Sequence, residues 1–175
     1  MKIVIMKNNW ITWVLIFGLF TLLSSCFKDD TVTPDEQLKI DLDKVDKEQL
    51  AIDIEIIDNY LAEDSIEAIA DPSGLRYVIH ETGTGPSPQL ADLIRVKYVG
   101  TLLGETEIFD SSNDAAFPLD NLILGWKVGF QLLHTGDSAT LYIPSGLGYG
   151  VMGSGPIPPD ANLTFGVKLI DVQRF

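Results

Sequence analysis

The stretch Gly125-Trp126-Lys127-Val128-Gly129-Phe130-Gln131-Leu132-Leu133-His134-Thr135-Gly136 constrains the rest of the chain more than any other. Val128, Leu132 and Leu133 recur at helical spacing, and Gly136 supplies a C-terminal stop. The sequence on both sides is strand-like. A helix this short is marginal in water, so it has to be held by packing against a sheet. Trp126 opens it, where an indole buried against a sheet can floor a pocket.

The flanking segments supply that sheet. Asp71-Pro72-Ser73-Gly74 is a turn, after which Leu75, Tyr77 and Ile79 alternate with Arg76, Val78 and His80 as a half-buried strand. Gly83-Thr84-Gly85-Pro86-Ser87-Pro88 is a loop. Leu93 to Thr101 is a second strand with Ile94, Val96 and Tyr98 on one face. A third starts at Gly104, runs through Ile108 and Phe109, and is expected to turn at Asp110-Ser111-Ser112-Asn113. Phe117 to Ile123 leads into the helix. Ser138 to Ile143 points Ala139, Leu141 and Ile143 inward, and Leu163 to Val172 buries Leu163, Phe165, Val167 and Leu169. The pattern predicts an α+β domain over 71–175, a twisted antiparallel half-barrel wrapped around one short helix.

Upstream, 38–70 reads as an acidic helical extension. Leu50, Ile54, Ile57 and Leu61 share one helical face, with Glu48, Asp53, Glu55 and Asp58 mostly opposite. Ile52, Ile54 and Ile56 also alternate as in a strand, but length and the Gln, Glu and Ala content favour helix. Its apolar face can pack on the domain or on a partner, a second copy included, and the sequence does not choose.

Charge and cysteine content narrow the function classes. A formal charge of -13 argues against a nucleic-acid partner. One cysteine excludes a disulfide framework, and two histidines far from it form no metal-ligand cluster. Lys2 and Lys7 precede an uncharged apolar run from Trp10 to Leu23, the pattern of a signal peptide rather than a membrane span. Leu23-Ser24-Ser25-Cys26 resembles the lipobox of bacterial lipoproteins. That implies removal of 1–25, lipidation at Cys26 and attachment to a membrane, since two or more acyl chains anchor where one exchanges. The other reading is a plain signal peptide with a chance cysteine. Phe27-Lys28-Asp29-Asp30 resembles the surface-export signal of Bacteroidetes lipoproteins, or is a solvated charged tether within 26–37. The expected location is the cell envelope, at the outer membrane on its periplasmic face or at the cell surface.

Two apparent motifs fail on their surroundings. Gly148-Tyr149-Gly150-Val151-Met152-Gly153 spells the dinucleotide fingerprint, but Ser154-Gly155-Pro156-Ile157-Pro158-Pro159 follows and no helix can run through it. His134, Asp110 and Ser111 lack a nucleophile elbow. What remains is an aromatic set with one carboxylate: Tyr98, Phe109, Asp110, Phe117, Trp126, Tyr149 and Phe165. Taken singly these are core residues. Taken together, with Asp110 next to Phe109 and Tyr149 among glycines, they suit an apolar ligand pocket with a few placed polar groups.

From about Asp71 to Phe175 the sequence resembles the FKBP-type peptidyl-prolyl cis-trans isomerases. The motifs are Val96-Lys97-Tyr98-Val99-Gly100, Phe109-Asp110-Ser111-Ser112, Phe117-Pro118-Leu119, Ile123-Leu124-Gly125-Trp126, Ile143-Pro144-Ser145, Leu147-Gly148-Tyr149-Gly150, Ile157-Pro158-Pro159 and Leu163-Thr164-Phe165. The resemblance implies a catalytic set of Tyr98, Asp110, Trp126 and Tyr149, with Trp126 as the floor of a prolyl pocket and Asp110 at its rim. It implies substrate contacts from Phe109, Phe117, Leu122, Ile123, Ile157 and Phe165, the backbone N–H of Ile157 and Tyr149 holding the substrate chain. Residues 151–156 would form a flap over the site. It further implies proline-containing polypeptide substrates, no cofactor and no metal, and a role in folding envelope or surface proteins. A non-catalytic chaperone or assembly lipoprotein that binds proline segments is the alternative. Ala115 stands where the family pattern has an aromatic, and Asp120, Leu124 and Pro156 also depart from it. These departures bear on substrate preference and macrolide affinity.

Overall fold

In the computed structural model the described residues are 32–174. The expected signal peptide 1–25, the lipidation at Cys26 and the segment Phe27–Asp30 lie outside them. Among the described residues no helix is long and apolar enough to cross a membrane.

The extension is two helices, α1 (Pro34–Asp43) and α2 (Lys47–Glu63). α1 starts inside the stretch expected as tether because Thr33 makes a capping box: its hydroxyl accepts from the Glu36 N–H at 3.3 Å, and the Glu36 carboxylate accepts from the Thr33 N–H at 3.0 Å. The single helix expected from Leu38 to Leu61 is broken at Asp46. That residue is extended, and its carboxylate accepts from the N–H groups of Glu48 and Gln49 to start α2. The strand alternation at Ile52–Ile56 does not form; Ile52 and Ile56 are exposed while Ile57 and Leu61 are buried. Asp53, expected on the solvent side, is fully buried, a correction whose cause lies in its partners below.

One six-stranded sheet, antiparallel throughout, carries the domain. Its strands are β1 (Ile69–Ala70), β2 (Arg76–Glu81), β3 (Leu93–Leu102), β4 (Ile108–Pro118), β5 (Ser138–Ile143) and β6 (Leu163–Gln173), in the spatial order β1-β2-β5-β6-β3-β4. The turn expected at Asp110–Asn113 is not there. Ser111 and Ser112 stay paired to Val99 and Tyr98, and the spare residue is absorbed as a bulge before Ala115. Asp114, lifted out by that bulge, pairs with the Arg95 guanidinium.

Helix α3 (Leu124–Gln131) lies against this sheet. It ends before Gly136, whose φ of +102° serves a separate turn in which the buried Asp137 carboxylate accepts from the His134 N–H at 2.8 Å. Gly125 and Gly129, one helical turn apart, set how closely α3 approaches β5. A Cβ at Gly125 would fall 2.5 Å from Ile143 Cγ2, and one at Gly129 would fall 2.9 Å from Leu141 Cδ1. With the backbone this near the strand, Trp126 and Phe130 are driven into the core beside Ile94, Val96, Leu141 and Phe165.

The other face of β2 and β5 is covered by α2. Ile57 and Leu61 pack on Tyr142 and Val78, and the Tyr60 and Tyr142 rings lie 6.3 Å apart. Asp53 accepts from the Ser145 N–H at 2.9 Å, from the Ser145 hydroxyl at 2.6 Å and from the Gln49 amide at 2.9 Å, which is why a carboxylate can be buried there. Arg76 grips Asp58 with two nitrogens at 2.8 and 2.9 Å. The apolar residues Ile57 and Leu61 are thus spent on the chain's own sheet.

Candidate active site

The first turn of α3, the concave faces of β3, β4 and β6, and the loop after β5 meet around a cavity of about 160 Å³. Its lining is Tyr98, Asp110, Phe117, Leu122, Ile123, Trp126, Tyr149 and Phe165. Trp126 is its base, 4% exposed, with Tyr98 and Phe165 each at a ring-centroid distance of 5.2 Å and nearly perpendicular to the indole. Edge-to-face contacts of this kind fix the rings rather than merely filling space. The indole N–H finds no acceptor among the described residues.

Two of the expected contacts sit elsewhere. Phe109 does not line the cavity; it stands behind Phe165 at 5.5 Å, edge to face, and stiffens that wall. Gly100 makes this stack possible, since a Cβ there would fall 2.6 Å from Phe165 Cε1 and 2.7 Å from Phe109 Cζ. Ile157 is buried, and its N–H already donates to the Ser154 carbonyl at 2.9 Å across the tight Gly155-Pro156 turn. In this conformation that N–H is not available to a ligand. A different donor is: the Ile123 carbonyl accepts from the Trp126 and Lys127 N–H groups at 3.0 and 3.1 Å, while its own N–H makes no hydrogen bond among the described residues. This is the ordinary state of a helix's first N–H groups, so the sequence signal was present in the start of α3.

The rim is polar. The Tyr98 hydroxyl donates to Asp110 Oδ2 at 2.8 Å. Burial, followed by that bond and the carboxylate's charge, pushes the Tyr98 phenol up to about 12, so it stays a neutral donor through the physiological range. Burial, with Asp110 second, also raises the Tyr149 phenol. Tyr149 is 37% exposed on the loop that begins at Ser145, the residue held by Asp53. Ala115, on β4, is half-buried against the core and does not line the cavity.

The chemistry available is that of an apolar cage with hydroxyl and amide donors at its edge. His134 and Ser111 are not among the lining residues, and no serine, threonine, cysteine or histidine lines the cavity. A larger cleft of about 620 Å³ lies between α1, α2 and α3, lined by Leu38, Leu42, Val128 and Leu132 among others, but no aromatic ring faces it. Size alone does not make a site; convergent polar groups on an apolar cage do.

Residues 85–170 match the family described as FKBP-type peptidyl-prolyl cis-trans isomerase. The chain is 42% identical over 106 residues to the FKBP-type peptidyl-prolyl cis-trans isomerase FkpA of Aeromonas hydrophila, covering 58% of this chain and 39% of that one. It is 38% identical to the outer membrane protein MIP of Legionella longbeachae, covering 59% of this chain and 46% of that one. The chain therefore spans less than half the length of these two curated relatives. Among solved structures, the peptidyl-prolyl cis-trans isomerase of Pseudomonas syringae superposes with a TM-score of 0.63 at 31% identity, covering 71% of this chain and 96% of that one.

Proposed function

Since the chain belongs to the FKBP-type peptidyl-prolyl cis-trans isomerase family, we propose that it catalyses cis-trans isomerisation of X-Pro bonds in polypeptides from the cavity over Trp126. The observation that supports this best is the cage itself: perpendicular aromatic walls around about 160 Å³, with Tyr98, Asp110 and the free Ile123 N–H at the edge.

A peptide bond crosses a resonance barrier of roughly 18–20 kcal/mol to isomerise, and no covalent bond is made or broken. In the twisted transition state the imide loses conjugation and its carbonyl becomes less polar, so a dry aromatic cage favours the twisted form over the planar one. The proline ring sits on Trp126 between Tyr98, Phe117 and Phe165. The Ile123 N–H holds a substrate carbonyl in place of the engaged Ile157 N–H, and Tyr149 pins the flanking chain. Asp110 orients the Tyr98 hydroxyl. Lowering the barrier by about 5–7 kcal/mol corresponds to an acceleration of ~10⁴–10⁵.

The protein is proposed to act at the cell envelope, anchored by lipid at Cys26, on envelope or surface proteins; the name of the Legionella longbeachae relative, an outer membrane protein, supports the location. The test is a prolyl isomerisation assay on tetrapeptides with the wild-type chain and Trp126→Leu. Acceleration in the wild type that falls about 10–100-fold in the variant, with the fold retained, is the expected result. A folded wild type without acceleration that still binds proline peptides would instead favour a non-catalytic proline-segment chaperone.

A further inference from the structure

A second cleft, about 380 Å³, opens on the far side of the Phe109–Phe165 wall. It is lined by Leu102, Ile108, Phe109 and Pro156 on its apolar surfaces and by Glu105 and Glu107. Ile108 is 54% exposed. Both glutamates are exposed, and neither has an ion-pair or hydrogen-bond partner for its side chain among the described residues. Asp58, Asp114 and Glu81, by contrast, each hold an arginine or lysine. Phe109 lines this cleft and stacks at 5.5 Å on Phe165, which lines the prolyl cavity, so the two spaces are neighbours across one pair of rings.

Apolar walls ending in unpaired carboxylates match one kind of side chain: a long aliphatic stem with a cationic head. Lysine and arginine lay such stems on apolar surface and keep the charge at its edge. We propose that this cleft is a specificity subsite for a lysine or arginine adjacent to the substrate proline, the stem resting on Ile108, Phe109 and Pro156 and the head between Glu105 and Glu107. This rests on the isomerase reading for its catalytic consequence, but not for binding. The gain expected from one basic residue is about three- to tenfold at low salt, since exposed charge pairs contribute modestly and are screened.

The test compares peptides of one frame carrying lysine, norleucine or glutamate on either side of the proline, in both an isomerisation assay and an anisotropy titration of labelled peptide. Norleucine separates stem from head. Variants are Glu105→Gln/Glu107→Gln and, as a control for overall charge, Glu55→Gln/Glu63→Gln on the exposed side of α2. The proposal expects lysine to exceed norleucine and norleucine to exceed glutamate, with the lysine advantage lost in the cleft pair, kept in the control pair, and reduced by salt. An equal loss in both pairs would assign the preference to net charge and overturn the subsite, as would no lysine advantage in the wild type. If no peptide is isomerised, the catalytic reading fails while the titration still decides the subsite. If no peptide binds, both fail.

Discussion

The two faces of the sheet are held by different forces. On the concave face, against α3, the contacts are almost wholly apolar, and one pocket of space is left unfilled over Trp126. On the outer face, against α2, a small apolar cluster is supplemented by a buried carboxylate and a two-pronged arginine pair. Apolar packing is tolerant of direction, so it can surround a cavity without collapsing it only if the walls are stiff, and here the perpendicular rings supply the stiffness. Hydrogen bonds to a buried carboxylate are directional and costly to break. The polar face fixes where α2 and the Ser145 loop lie. The apolar face holds the site.

That division predicts separable effects. Asp53→Ala removes the acceptor shared by the Ser145 N–H and hydroxyl, leaving the N–H with only Asn162 Oδ1 at 3.0 Å. The expected loss is about 2–4 kcal/mol in denaturant unfolding, with isomerisation of short peptides at low temperature changed less than about threefold. A loss of activity as large as that of Trp126→Leu, at unchanged stability, would break the separation. Gly100→Ala pushes a methyl into Phe165 and Phe109, and should cost about 1–3 kcal/mol together with a fall in rate, because here stability and site share the same rings. Unchanged rate and melting temperature would show that the wall yields. The smallest effect concerns pH. The Tyr98 phenol is raised in the folded state to about 12, so its contribution to stability is complete below about pH 10 and is lost as pH rises from there toward 12. Tyr98→Phe should flatten that alkaline limb in a pH series of thermal melts; an identical limb would contradict the assignment.

The concave face was legible in the sequence and the outer face was not. Alternation in Leu93–Thr101 and Leu163–Val172, with Trp126 at the head of a short helix, led to the sheet, the helix and most of the cavity lining. Asp53 is not legible as buried because a carboxylate on a surface helix reads as solvent-facing, and its partner Ser145 is 92 residues away. Asp110-Ser111-Ser112-Asn113 has turn composition, yet pairing with β3 overrides it and Asp114 takes up the slack. The break at Asp46 had a capping signal that the continuous apolar spacing obscured. The Ile157 N–H is spent on Ser154, a local detail that motif similarity does not carry.

The most direct test of the central claim is exchange NMR on one sample, a proline tetrapeptide with the ¹⁵N-labelled chain. It reports both how fast cis and trans peptide interconvert and which amides shift. The account predicts exchange far above the uncatalysed rate, with shifts centred on Ile123 and the Trp126 indole, both abolished in Trp126→Leu. Accelerated exchange with shifts centred instead on Leu38, Leu42 and Leu132 would place the chemistry in the wrong cleft and contradict it.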